Sequence, residues 1–169
     1  MDRAELRALQ APVREKYAED PATAWTEIRG EGTWAVEGIT ATVATWAGPV
    51  HAGLHPATGG DGSDACSGDM LMQALVGCAG VTMRSVATAM GLDLGHVEIV
   101  ATSHFDARGT LGLDRSVPVG IGPVSLVATV DADLDETTRS RLASSTERYC
   151  VVGQSLREVP TVAVVTRSA

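Results

Sequence analysis

The stretch from Met70 to Met90 gives the strongest secondary-structure signal in this sequence. It is predominantly apolar, long enough for about six helical turns, and followed by Gly91, which fits a helix C-cap. At about 100° per residue, the residues within about 60° of Cys78 are Leu71, Ala74, Leu75, Val81, Thr82, Ser85 and Ala89. We therefore expect a long helix whose core-facing stripe includes Cys78.

A shorter amphipathic helix is expected at the N-terminus. Leu6, Leu9, Val13 and Tyr17 recur at helical spacing between Asp2 and Asp20. Proline removes a backbone donor and clashes with the preceding turn, so Pro12 is expected to kink or divide this stretch and Pro21 to end it.

The remaining patterns favour strands and one further helix. About three antiparallel strands are expected after Ala22, with a hairpin turn at Glu37-Gly38, followed by a long surface loop over residues 48–67. Further strands are expected at 96–107, 124–130 and 159–166, with a Gly- and Pro-rich connection over 109–122. A capping-box-like pattern at residues 133–136 predicts the start of a third helix, which should reach Tyr149 and place Cys150 at its end. This order, without repeated βαβ units, predicts an α+β fold.

Length, composition and charge narrow the function classes. A chain of 169 residues with 44% hydrophobic and 20% charged residues fits one globular domain spanning residues 1–169. Its net charge of −8 disfavours nucleic acid and anionic membranes as partners. The start of the sequence lacks the apolar core of a signal peptide, and we identify no apolar run long enough to span a bilayer. We therefore expect a cytoplasmic protein.

The three cysteines argue for reduced thiols rather than a disulfide framework. A metal site is not expected, since the sequence has neither a Cys-x-x-Cys nor a His-x-x-x-His pair among Cys66, Cys78, Cys150, His51 and His55. No cofactor is expected either. Peroxide reduction by thiols requires an attacking thiolate, a positive donor for the departing alkoxide, and a second thiol that resolves the sulfenic acid. From position alone, Cys78 and Cys150 fit either these roles or those of buried, inert thiols.

Two spaced motifs resemble the OsmC/Ohr family of thiol peroxidases. The segment from Ser67 to Cys78 resembles the family helix that ends in the peroxidatic cysteine. The segment Cys150-Val151-Val152-Gly153-Gln154-Ser155-Leu156 is similar to the Cys-Pro-Val-x-Gln-x-Leu pattern around the resolving cysteine. Two shorter segments, 29–33 and 108–114, also resemble family segments, and the likeness covers roughly residues 22–166.

The resemblance implies a fold and an activity. The implied fold is OsmC-like, with antiparallel strands, a long central helix and an intertwined homodimer, to which residues 1–21 add a helical extension. The implied activity is reduction of organic hydroperoxides, with hydrogen peroxide as a further possible substrate, in oxidative stress defence. Cys78 would form a sulfenic acid and then a disulfide with Cys150, and an external dithiol would restore both thiols without a metal.

The sequence also departs from the family pattern. Gly68 stands where Ohr-type members carry the glutamate that holds the catalytic arginine, and Val151 replaces the usual proline. Asp69, one position on, is the candidate substitute for that glutamate, and favourable interaction with the helix N-terminus is the alternative role that we favour. Arg29 is the candidate for the arginine, with an ordinary surface charge as the alternative. These departures leave open a second function, a non-catalytic OsmC-like dimer that binds a small apolar ligand at the subunit interface.

Overall fold

The elements follow one another as a helix, a strand meander, a long helix, strands, a helix and a strand. The computed structural model describes residues 1–156 and 161–166. The helices are α1 (Arg3–Glu19), α2 (Ser67–Met90), α3 (Ala107–Thr110), α4 (Glu136–Tyr149) and α5 (Val151–Gln154). The strands are β1 (Glu31–Trp34), β2 (Ala41–Thr45), β3 (Gly48–Gly53), β4 (Ala65–Cys66), β5 (Val97–Thr102), β6 (Ser125–Val130) and β7 (Thr161–Thr166). Short 3₁₀ turns lie at Pro21–Ala24 and Pro56–Thr58. The predicted α+β class is confirmed.

The chain divides into two compact units, of which the first contains, among the described residues, 1–27, 75–101, 125–156 and 161–166. Its sheet has the order β5-β6-β7. Strands β6 and β7 are parallel, because α4 crosses over between them. The expectation of purely antiparallel strands is therefore wrong for this sheet. The core joins side chains of α2, β6, α4 and β7 around Leu94: Met83, Ala87, Ala128, Val130, Leu142 and Val164.

The second unit contains residues 28–74 and 102–124. Its sheet has the order β1-β2-β3-β4, in which the first two pairings are antiparallel, as expected, and β3 and β4 are parallel. The turn between β1 and β2 contains Glu37 and Gly38, as predicted, and Gly38 adopts the left-handed conformation at φ +75°. The amide of Ala35 closes this hairpin by donating to the carbonyl of Thr40 at 3.0 Å.

Helix α1 begins with a complete capping box between Asp2 and Glu5 and ends before Asp20 and Pro21, as expected. Pro12 lies inside the helix and does not divide it. Helix α2 begins at Ser67, three residues before the expected start, and ends at Met90, as predicted. Gly91 follows in the left-handed conformation at φ +75°.

Three further expectations need correction. Residues 48–67 are not one loop, because they contain β3 and β4. The buried residues of α2 are Leu75, Ala79, Met83 and Ala87, whose line lies roughly 120° around the helix from Cys78. Cys78 is therefore half-buried beside the core-facing stripe and not within it. The sequence did not show which face of α2 is buried, because the helix is apolar around most of its circumference.

The third correction concerns membrane spans. By length and composition alone, α2 is apolar enough to cross a bilayer, with a mean hydropathy of 1.3 over its best window. The sequence therefore does contain one such segment among the described residues. Core helices of soluble proteins meet the same criterion, and α2 contributes four buried side chains to the protein interior.

Candidate functional site

Cys150 lies at the junction of two helices in the first unit. It is the C-cap of α4 and the N-cap of α5, and its amide donates to the carbonyl of Thr146 at 3.0 Å. Its sulfur accepts the amide of Gly153 at 3.4 Å, the kind of N-cap interaction that polar side chains usually make. The side chain is only 3% exposed, and the void beside it measures about 10 Å³. No substrate of useful size reaches this thiol from that side.

Gln154, the glutamine of the second motif, fixes α5 against α4. Its Nε2 donates to the carbonyl of Glu147 at 2.8 Å. The Glu147 carboxylate in turn accepts the amide of Val162, at the start of β7, at 2.7 Å. These two contacts hold the turn that carries Cys150 between the last helix and the last strand.

Cys78 projects from α2 toward this turn. The groups that act on its sulfur are the backbone amides of Val152 and Val151, the Cys150 thiol and the Thr82 hydroxyl, each of which lowers the pKa of Cys78. The structure thus brings the two predicted thiols close enough for each to influence the pKa of the other. It also places the Cys78 sulfur at the start of α5, where the first amides have no partner within the helix.

The two thiols differ in exposure and acidity. Burial alone would raise the pKa of Cys78, but the hydrogen bonds from Val152, Cys150, Val151 and Thr82 together lower it below the usual value. Burial is the main cause that raises the pKa of Cys150, and the neighbouring Cys78 raises it further against the opposing Gly153 amide. The half-buried thiol is therefore the more acidic of the two, and the buried thiol is the less acidic.

The other two predicted site residues belong to the second unit. Arg29 is exposed and forms an ion pair with Glu31. Asp69 is exposed in the first turn of α2, where its negative charge interacts favourably with the positive end of the helix dipole. A Cβ at Gly68 would lie 3.5 Å from the Cys66 sulfur, an ordinary contact, so the first side-chain carbon of a glutamate would fit there. The catalytic roles of Arg29 and Asp69 stay predictions.

Sequence reasoning missed three donors to Cys78. Thr82 is one helical turn after Cys78, a spacing that places the two side chains on the same face and signals their contact. Val151 and Val152 act through backbone amides, which no side-chain pattern reveals. Val151 is the more informative, because the proline that the family pattern has at this position carries no N–H. Within residues 1–156 and 161–166, no group of three His, Cys, Asp or Glu side chains is arranged to hold a metal ion.

The sequence was compared with known protein families and with curated proteins. A family sequence profile described as OsmC-like protein matches residues 60–165. Comparison with curated protein sequences gives no significant match.

Solved structures of the same fold include an organic hydroperoxide resistance protein OsmC from Legionella pneumophila, at TM-score 0.63 and 16% identity over 85% of this chain and 100% of the other. The organic hydroperoxide resistance protein OhrB of Bacillus subtilis matches at TM-score 0.57 and 16% identity over 83% and 98%. An OsmC-like protein from Mycoplasma pneumoniae matches at TM-score 0.62 and 13% identity over 85% and 98%. At these identities the likeness establishes the fold, and the sequence profile, which spans most of the chain and both contacting cysteines, shows that this protein belongs to the OsmC-like family.

Proposed function

We propose that this protein is a thiol peroxidase that reduces organic hydroperoxides in the cytoplasm as part of oxidative stress defence. The observation that carries the proposal is the difference between two neighbouring thiols. Cys78 is half-buried and has a lowered pKa, whereas Cys150 is buried and has a raised pKa. Such a pair separates the attacking role from the resolving role before any substrate arrives.

The proposed reaction has three steps: attack on the peroxide, formation of the disulfide, and reduction of the disulfide. The Cys78 thiolate attacks the outer oxygen of the hydroperoxide, the O–O bond breaks, and the alkoxide takes up a proton and leaves as the alcohol. The Cys150 thiol then condenses with the Cys78 sulfenic acid, which forms the disulfide and releases water. An external dithiol reduces the disulfide by two successive exchanges and leaves as its own disulfide.

The four hydrogen bonds at Cys78 support the first step. Among the described residues, the groups that lower the pKa of Cys78 are backbone amides, a hydroxyl and the second thiol, so the nucleophile does not depend wholly on an arginine. The departing alkoxide still needs a positive donor, for which Arg29 is the proposed source. Arg29→Gln should then lower the rate of peroxide reduction, while Glu31→Gln, which removes only its ion-pair partner, should not.

We also propose that the protein acts as a homodimer. Several large apolar side chains of the second unit are exposed, among them Trp34 at 87% and Trp46 at 100%. Exposed aromatic groups of this size favour burial against another surface, and a second copy supplies one of matched chemistry. Light scattering should give twice the mass of 17.5 kDa, and a purely monomeric protein at micromolar concentration would contradict this proposal.

The direct test of activity is turnover. Purified protein given cumene hydroperoxide and dithiothreitol should consume peroxide catalytically. Cys78→Ser should abolish this activity, and Cys66→Ser, the matched control, should retain it. Unchanged activity in Cys78→Ser would refute the assignment.

A further inference from the structure

Glu147 is a half-buried carboxylate in the last turn of α4, three residues before Cys150. No ion pair among residues 1–156 and 161–166 includes it. Withdrawal of a charged carboxylate from water costs free energy, which hydrogen bonds to the charge must offset. The hydrogen-bond partners of Glu147 therefore indicate what its position achieves.

Two acceptor groups of Glu147 hold chain segments that follow Cys150. The side-chain Oε1 accepts the amide of Val162 at 2.7 Å, a length typical of a charge-assisted bond. The backbone carbonyl, which lies at the helix end where carbonyls have no amide partner within the helix, accepts the Nε2 of Gln154 at 2.8 Å. One residue thus fastens both α5 and the start of β7 to the end of α4.

Glu147 and Cys150 also line the same small void, together with Gly153 and Val162. The remaining lining residues are apolar: Leu75, Ala79 and Leu126. At about 10 Å³ the void holds one water molecule at most, so the Cys150 side chain is closely packed on this side. The position of the Cys150 sulfur therefore depends on the residues that line the void and on the two bonds of Glu147.

We propose that Glu147 is the positioning residue of the resolving thiol, a role that rests on the peroxidase function proposed above. When Cys150 attacks the Cys78 sulfenic acid, the S–S bond forms, the S–O bond breaks, and the hydroxide takes up the thiol proton and leaves as water. A disulfide tolerates only a narrow range of distance between the two Cβ atoms, about 3.5–4.5 Å. Glu147 holds the turn that carries Cys150, so it raises the effective concentration of this thiol at Cys78 and takes no proton itself.

The thiol–disulfide equilibrium of the protein with a glutathione buffer tests this role without peroxide. Glu147→Ala removes the bond to the Val162 amide and should lower the equilibrium constant for the Cys78–Cys150 disulfide by about fivefold. Glu147→Gln keeps an oxygen acceptor of the same reach, so it should restore the equilibrium constant to within about twofold of the wild type. An unchanged constant in Glu147→Ala, or no rescue in Glu147→Gln, would overturn the proposal.

Two control variants separate positioning from a loss of stability. Glu136→Ala removes the same side chain from the start of α4, and Val130→Ala weakens the core at a buried residue that does not line the void, so neither should change the equilibrium constant. A loss in Val130→Ala as large as that in Glu147→Ala would refute the role. If Glu147→Ala does not fold, Glu147→Asp, whose carboxylate is shorter by one methylene, should lower the constant in its place, and an unchanged constant would again refute the role.

The wild-type protein distinguishes this role from the peroxidase function. If it forms the Cys78–Cys150 disulfide in the glutathione buffer but does not reduce cumene hydroperoxide, the peroxidase function fails and the variants still decide the role of Glu147. If it forms no such disulfide in the buffer, the positioning role itself is refuted.

Discussion

Replacement of Val151 by proline isolates the contribution of one backbone amide to the reactivity of Cys78. The Val151 amide helps to lower the pKa of Cys78 and is at the first position of α5, where no intrahelical partner exists. Proline is accepted at such positions, and the preceding Cys150 already has the extended backbone that proline requires, at φ −76° and ψ 102°. The substitution therefore removes a donor without disturbing the turn.

The expected magnitude follows from the strength of one hydrogen bond to a charged group. Such bonds contribute about 1.5–3 kcal/mol, and about 1 kcal/mol is reasonable here because Cys78 is partly solvated and keeps three other donors. Below the pKa of the thiol, about 1 kcal/mol lowers the thiolate fraction about fivefold. Since intrinsic nucleophilicity rises with pKa, the alkylation rate should fall by about two- to threefold.

The assay is the rate of iodoacetamide alkylation of Cys78 against pH, followed by peptide mass spectrometry. The lowered pKa of Cys78 means that its reactivity persists to lower pH than that of an ordinary thiol, and Val151→Pro should move this profile to higher pH. Val151→Ala keeps the amide and should follow the wild type, since Val151 is largely exposed and its side chain packs little. Coincident profiles for the proline variant and the wild type would refute the assignment of this hydrogen bond.

Three further variants test neighbouring contacts. Thr82→Val removes a hydroxyl donor to Cys78 at nearly constant volume and should also shift the alkylation profile to higher pH, and an unshifted profile would contradict that role. Cys150→Ser should still react once with hydroperoxide but should accumulate a dimedone-reactive sulfenic acid at Cys78, and its failure to do so would exclude Cys150 as the resolving thiol. Gln154→Ala loses the bond to the Glu147 carbonyl and should reduce the free energy of unfolding by about 1 kcal/mol in urea titration, whereas an unchanged midpoint would show that this bond is dispensable.

The long helix and the position of Cys150 were predictable from the sequence. The run from Met70 to Met90 has the length and terminal glycine of a helix, and the capping residues near Asp135 set the start of α4. Local signals of this kind depend on neighbours within one or two turns, which a sequence displays directly.

Other features depend on contacts between distant residues. The two-residue strand β4 exists only because β3 lies beside it, so no local pattern separated it from the loop. The side of α2 that faces the core depends on where β6 and α4 pack, because the helix has small apolar residues on most of its circumference. The amides that reach Cys78 come from a turn more than seventy positions later and carry no side-chain signature.

The most direct test of the peroxidase account is the fate of the thiols after a single turnover without reductant. One equivalent of cumene hydroperoxide should remove two of the three free thiols per chain. Mass spectrometry of the digested protein should then find the peptide of Cys78 linked to that of Cys150, with Cys66 still free. Retention of all three thiols, or a disulfide that includes Cys66 instead, would contradict the account.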